Sequence, residues 1–239
     1  MTDISFPASE GTLGGYLARP ADEGPWPGVI VIHDAFGMTD DLRAQCDWLA
    51  GAGYLAFGPD LYSWGRKFAC LRATISDLRA RRGRAFDDIE AARAWLVSDE
   101  ANCTGQVGII GYCLGGGFSL LLAPGDDYAV SSVNYGDVPE DAETILATAC
   151  PVVGSFGGKD RRLAGAAAKL EKALDTNGIP HDVHEYPDAG HGFLNKHDGA
   201  LGVLIGVLGR LVGVGYHEPT AAEARRRIIS FFDQHLKTS

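Results

Sequence analysis

A cysteine set between glycines follows directly after an apolar run of the sequence. In "VGIIGYCLGGGF", residues 107–118, Cys113 stands at the centre of a GxCxG pattern between Gly111 and Gly115. This is the pattern of a nucleophile elbow with cysteine in place of the usual serine, in which a strand, a sharp turn and a helix follow one another. Free N–H groups at the start of that helix favour a thiolate and a developing oxyanion. The pattern predicts a nucleophile at Cys113, and the alternative is a buried cysteine beside a glycine-rich turn.

A thiol nucleophile needs a base and a group that orients the base. After the apolar run "PVVGSFG" comes "GKD", which places Asp160 at a strand end, and after "HDVHEYP" comes "DAGHGF", which places His191 likewise. The order nucleophile, acid, histidine is the one used in α/β-hydrolases. Asp188 and Asp137 are less favoured acids, because Asp188 is too near His191 along the chain and Asp137 follows an earlier strand. His33 also ends a strand, where a packed or hydrogen-bonded role is favoured.

Alternating strand and helix patterns would position these residues. Continuous apolar runs predict buried strands at 28–33, 54–59, 106–111, 129–135 and 151–157, as in a parallel sheet covered on both faces. The segments between them carry apolar residues at helical spacing, and "TAAE" predicts a capping box in which Thr220 and Glu223 begin the last helix. The pattern indicates an α/β fold with a mostly parallel sheet, helices on both faces and a ligand at the carboxyl ends of the strands.

Composition restricts the class of partner. A chain of 239 residues fits one domain, residues 1–239. Its net charge of −10 argues against binding to nucleic acid or to an anionic membrane, so a small molecule is the expected partner. The first residues lack the basic start and apolar run of a secretory signal, which predicts a cytoplasmic protein. Five scattered cysteines without a CxxC pair predict neither a disulfide framework nor a zinc site.

Taken together with "HDAFG" and "PDLY" further upstream, these motifs resemble those of the dienelactone hydrolase family from about Gly14 to Leu236. The resemblance implies an α/β-hydrolase fold and a triad made by Cys113, His191 and Asp160. It also implies an oxyanion hole formed by the backbone N–H groups of Leu114 and Ala35, and it requires no metal or organic cofactor.

The sequence departs from the family pattern in two places. Asp34 stands where family members commonly carry a glutamate that helps to activate the resting thiol, so Asp34 is the candidate thiol activator. The chlorocatechol-pathway enzymes bind the lactone carboxylate with an arginine shortly after "GHSF", where this chain has Asn195 and Lys196. A second family arginine follows "PDLY", and here a basic cluster at 66–84 makes Arg72 the first candidate for binding a substrate carboxylate.

The reaction implied is hydrolysis of a lactone or carboxylic ester, as in carboxymethylenebutenolidase. A general carboxylesterase or thioesterase on the same triad is an alternative, and a non-catalytic thiol-sensing protein is another. Glycines at regular spacing in residues 199–216 predict a buried packing helix, with a lid or a dimer contact as the second interpretation. Monomer and homodimer both remain open.

Overall fold

The fold is seen in a computed structural model, which describes residues 2–98, 101–197 and 214–237. Within these ranges one sheet contains eight strands. They are β1 (Thr2–Ala8), β2 (Gly11–Ala18), β3 (Trp26–Ile32), β4 (Leu55–Pro59), β5 (Cys103–Tyr112), β6 (Val130–Asn134), β7 (Val152–Gly157) and β8 (His181–Tyr186).

The strands lie in the order β1-β2-β4-β3-β5-β6-β7-β8. The pairs from β4 to β8 are parallel, whereas β1 with β2 and β2 with β4 are antiparallel. The central strands are apolar on both faces, and Val29 to Ile32 of β3 are completely buried. Such runs form strands that are covered on both sides.

Helices cover both faces of this sheet. They are α1 (Asp40–Gly51), α2 (Lys67–Ala80), α3 (Arg84–Leu96), α4 (Leu114–Leu121), α5 (Ala142–Ile145), α6 (Ala166–Asn177) and α7 (Glu218–Leu236). On β4, the Phe57 ring lies 5.5 Å from the Trp95 ring of α3. A side chain at the next residue, Gly58, would instead meet Cys46 of α1. Because successive residues of a strand point to opposite faces, α1 and α3 cover opposite sides.

The predicted fold class, a mostly parallel sheet with helices on both faces, is confirmed. The capping box predicted for the last helix is wrong. That helix begins at Glu218, earlier than predicted, with a proline in its first turn, where the fixed φ of proline suits a helix start. Thr220 therefore lies inside α7, and its hydroxyl contacts the His217 ring at 2.7 Å.

The predicted glycine-rich packing helix lies outside the described residues, except for 214–216 at its end. There Val214 forms an isolated β-bridge with His191, and the N–H of Gly215 donates to the His191 carbonyl at 2.8 Å. Among the helices in the described ranges, none combines the length and apolar content needed to cross a bilayer.

Candidate active site

Cys113 occupies a tight turn between β5 and α4. Its backbone has φ 54° and ψ −111°, a conformation that costs energy for a residue with a side chain and that occurs mainly at functional sites. The turn depends on the two flanking glycines. A Cβ at Gly111 would collide with the backbone of Gly115, and a Cβ at Gly115 would collide with the carbonyl of Ile32 in β3. Because these two positions lack side chains, β5, the turn and α4 can pack closely. The thiol of Cys113 then lies at the carboxyl end of β5.

Asp160 and His191 are in direct contact, although they follow different strands. Asp160 lies just after β7 and His191 lies in the loop after β8, with His191 Nδ1 2.6 Å from Asp160 Oδ2. The other oxygen of this buried carboxylate accepts a hydrogen bond from the N–H of Arg162 at 3.1 Å. Burial raises the pKa of Asp160, but the His191 ring and the Arg162 N–H outweigh it and hold the pKa below its usual value.

The His191 imidazole is held as a strong proton acceptor. Burial lowers its pKa, but the contacts with Asp160 and the neighbouring Cys113 outweigh this effect and raise the pKa to about 9. Its Nε2 is buried and has no hydrogen-bond partner within the described ranges. With Nδ1 occupied by Asp160, Nε2 is the nitrogen available to exchange a proton with a thiol or a substrate.

One cavity of about 60 Å³ brings most of the predicted site residues together. Cys113 and His191 line it, as do Asp34 and Ala35, which come from the loop after β3. Leu114, the other predicted oxyanion donor, is the first residue of α4. The rest of the lining consists of Phe36, Gly192, Asn195, His197, Val214 and Gly215.

The Asp34 carboxylate is nearly buried and has partners on both oxygens. Oδ1 accepts from the N–H of Phe36 at 2.8 Å, and Oδ2 lies 3.0 Å from His197 Nε2. Sequence reasoning did not find His197, because a histidine six residues after His191 in a loop carries no pattern of its own. The contact between His197 and Asp34 depends on the tertiary fold, which brings the loop after β3 against the loop after β8.

The arginine proposed to bind a substrate carboxylate lies elsewhere. Arg72 is exposed on α2 and lines a separate surface hollow with Ile75, Ser76 and Arg79. Its assignment stays a prediction, and the cavity that contains Cys113 does not include it among its lining residues. Asn195, which stands in the region of the family arginine that follows "GHSF", does line that cavity.

His33 and Asp188, which the sequence analysis favoured less than the proposed triad residues, have structural partners. His33 is buried, with Nδ1 2.7 Å from the Asp34 carbonyl and Nε2 accepting from the N–H of Leu61 at 3.3 Å. Asp188 is exposed and pairs with Lys159 at 3.5 Å. Within the described residues, no group of three or more His, Cys, Asp or Glu side chains is arranged to hold a metal ion.

Two known proteins of similar sequence carry the same name. Proteins from Methylorubrum extorquens and Azospirillum brasilense, both named "Putative carboxymethylenebutenolidase", are 28% and 29% identical to this chain. The alignments cover 80% and 99% of this chain and 71% and 100% of the two relatives.

A similar solved structure is that of a dienelactone hydrolase-like promiscuous phosphotriesterase from metagenomic libraries. It is 19% identical, has a TM-score of 0.79 and covers 98% of this chain and 97% of its own. At this identity the similarity establishes the fold alone, and the fold is that of an α/β-hydrolase.

The family model for dienelactone hydrolases matches residues 13–236. This span contains the cysteine elbow, the Asp160–His191 contact and the cavity that they border. The chain is therefore a hydrolase that belongs to the dienelactone hydrolase family.

Proposed function

We propose that this protein hydrolyses a lactone or carboxylic ester through a Cys113–His191–Asp160 triad. One observation carries the proposal: Asp160 holds His191 by Nδ1 at 2.6 Å, while Nε2 has no structural hydrogen bond within the described residues and the ring interacts with Cys113 in the cavity that both line. A packed histidine would use both nitrogens in structural hydrogen bonds, as His33 does. A base that waits for a proton needs one nitrogen fixed and the other open.

In the first half of the reaction, His191 Nε2 takes the thiol proton and Cys113 Sγ bonds to the carbonyl carbon, so the carbonyl oxygen becomes an oxyanion. The proposed donors to that oxyanion are the N–H groups of Leu114 and Ala35, and losing one such donor typically costs about 3 to 4 kcal/mol of transition-state stabilisation. When the carbonyl reforms, the carbon–oxygen bond of the ester breaks, and the leaving oxygen takes the proton from Nε2.

In the second half, His191 removes a proton from water, and the resulting hydroxide attacks the thioester carbonyl. The carbon–sulfur bond breaks, the acid is released and the proton returns to the thiol. Part of the rise in the pKa of His191 comes from Cys113, so acylation of the thiol lowers that pKa and favours the neutral ring that takes a proton from water. In a lactone the leaving oxygen stays attached to the acyl chain, so no separate alcohol departs before water attacks.

Asp34 is the proposed activator of the thiol in the resting enzyme. Its carboxylate borders the same cavity as Cys113, and His197 and the Phe36 N–H contact it. To contact the resting thiol, one carboxylate oxygen would have to exchange its contact with His197 for one with sulfur, and the thiol proton then passes to His191 when Cys113 attacks. We infer that substrate binding in the cavity drives this exchange.

The test compares a carboxylated dienelactone, followed by ultraviolet absorbance, with the neutral ester p-nitrophenyl acetate. The wild type should turn over at least one of them, and Cys113→Ala should reduce turnover to background. Cys103→Ala is the matched control, because Cys103 is also a partly exposed free thiol but lies at the start of β5. Turnover of the lactone supports the reaction named for the relatives, and turnover of the ester alone supports a general carboxylesterase.

Retained activity in Cys113→Ala would refute the proposed nucleophile. An inactive wild type whose Cys113 still reacts with thiol reagents would favour the non-catalytic thiol-sensing alternative.

A further inference from the structure

A carboxylate outside the proposed triad is buried beside the loop that carries His191. Asp41 lies in the first turn of α1 and is 7% exposed. Its Oδ2 accepts a hydrogen bond from Asn195 Nδ2 at 2.5 Å, and its Oδ1 accepts from the backbone N–H of Lys196 at 2.7 Å. Both donors come from the loop after β8, so Asp41 ties that loop to α1.

A hydrogen bond and a ring contact connect Asn195 to the His191 ring. Asn195 Oδ1 accepts from the Tyr135 hydroxyl at 2.5 Å, and the Tyr135 ring packs edge-on against the His191 ring with 5.3 Å between centroids. Tyr135 has φ 39°, a strained value for a tyrosine, at the end of β6. Strain at such a position persists only where the surroundings hold the residue in place.

We propose that Asp41 is a positioning residue for His191, acting through Asn195, Lys196 and Tyr135. The inference rests on the proposed function, in which His191 is the base. Asp41 orients the whole Asn195 amide. It binds the amino group directly, and this contact turns the carbonyl oxygen toward Tyr135. The tyrosine ring then limits how far the His191 ring can turn about its bond to Asp160.

A role in helix capping alone does not explain this arrangement. An acidic side chain in the first turn stabilises a helix while it remains exposed to water, as the neighbouring Asp40 does. Asp41 is instead buried, which raises its pKa, although the hydrogen bonds from Asn195 and the Lys196 N–H oppose that change. Burying a carboxylate is unfavourable unless its partners compensate, and the partners here all lie on the active-site loop and in α1.

Asp41→Asn tests the proposal because the amide has nearly the same shape. Its oxygen can still accept from the Lys196 N–H, but its amino group then faces the amino group of Asn195. We expect the two donors to repel each other and to shift the loop, which should lower kcat for p-nitrophenyl acetate on the order of 10- to 100-fold with a smaller change in KM. Asp40→Asn is the matched control in the same helix turn and should behave as the wild type.

The reciprocal variant Asp41→Asn/Asn195→Asp restores the hydrogen bonds of this network, with donor and acceptor exchanged only between residues 41 and 195. Asn at 41 would donate to Asp at 195, which would still accept from Tyr135. We expect kcat to rise about threefold or more above that of Asp41→Asn, as coupling between neighbouring side chains predicts. A double variant no more active than Asp41→Asn would overturn the proposal.

Alkylation of Cys113, which does not require turnover, distinguishes a positioning role of Asp41 from a purely structural one. The rate at which iodoacetamide alkylates Cys113 is measured against pH for each variant, with Cys113→Ala as the blank. We expect Asp41→Asn to shift the pH at half-maximal rate and the double variant to restore it. The charged and titratable groups around the network are Asp160 and Cys113 near His191, and Asp34 and His197 near Asp41. Arg225 donates to Gln45, whose Nε2 in turn donates to Asp41 Oδ1 at 3.5 Å.

An Asp41→Asn variant with wild-type kcat and a wild-type alkylation profile would refute the positioning role. If that variant does not fold, Tyr135→Phe and the double variant decide by the same two measurements. Failure of the proposed function would be seen separately, as unchanged turnover in Cys113→Ala. In that case the alkylation profile would still measure how His191 is held.

Discussion

Replacing Asp160 by asparagine should cost far more than one hydrogen bond. In the wild type the carboxylate accepts from His191 Nδ1 at 2.6 Å, so Nδ1 carries a proton and Nε2 can accept one. The asparagine amino group would instead donate to Nδ1, which stabilises the tautomer with its proton on Nε2. A histidine in that tautomer cannot take the thiol proton, and the comparable change in serine proteases lowers kcat about 10⁴-fold. We expect a decrease of about 10³- to 10⁴-fold here.

The same contact also predicts how stability depends on pH. Raising the pKa of His191 from 6.5 to about 9 corresponds to about 3 kcal/mol of folding free energy, which Asp160 shares with Cys113. Because the folded-state pKa is the higher one, this stability is fully present below about pH 6.5 and is lost as the pH rises through about 9. Asp160→Asn should therefore reduce the free energy of unfolding at pH 6 and flatten its decrease between these pH values.

Two measurements check this prediction: kcat with p-nitrophenyl acetate, and urea unfolding at intervals from pH 5 to 10. Asp188→Asn is the matched control, because Asp188 is close to His191 along the chain but is exposed and pairs with Lys159. The control should keep wild-type activity and stability. An Asp160→Asn variant within a few-fold of wild-type kcat, with the same pH dependence of unfolding, would show that Asp160 does not orient His191.

Two further substitutions test the elbow and the predicted carboxylate site. Gly115→Ala should lower the free energy of unfolding by about 3 kcal/mol or more, because its Cβ would meet backbone oxygens of Ile32 and His33. Gly51→Ala, where a Cβ has no neighbour within 4 Å, should be close to neutral, and equal effects in urea unfolding would contradict the packing argument. If Arg72 binds a substrate carboxylate, Arg72→Ala should raise KM for anionic lactones more than for neutral esters. An equal change in KM for both classes, as its place on a separate hollow favours, would remove Arg72 from the site.

Much of the fold follows from local sequence pattern. The apolar runs that became β3 to β7 are buried on both faces, so burial alone identifies them as strands. The antiparallel β1 and β2 were not predicted, because β1 is an edge strand with mostly exposed residues and its pattern is weak. The start of α7 was displaced because proline in the first turn, rather than the threonine capping box, sets where that helix begins.

The candidate site likewise contains residues that the sequence predicted and contacts that it did not. Cys113, Asp160 and His191 could be found from sequence because each lies next to glycines at the end of a strand, and parallel strands bring such ends to one edge of the sheet. The hydrogen bond between Asp41 and Asn195 could not be found, since the two residues are 154 positions apart along the chain and no sequence pattern links them. His197 and Tyr135 likewise acquire their contacts only through the packing of separate loops.

The most direct test of the central claim is to look for the acyl-enzyme. The protein is mixed with p-nitrophenyl acetate, quenched in acid during turnover and digested, and the peptides are analysed by mass spectrometry. The account predicts one acetyl group on the sulfur of Cys113 in the wild type during turnover. Ester hydrolysis by the wild type with no acetyl group on Cys113 at any quench time, or with the acetyl group on another residue, would contradict it.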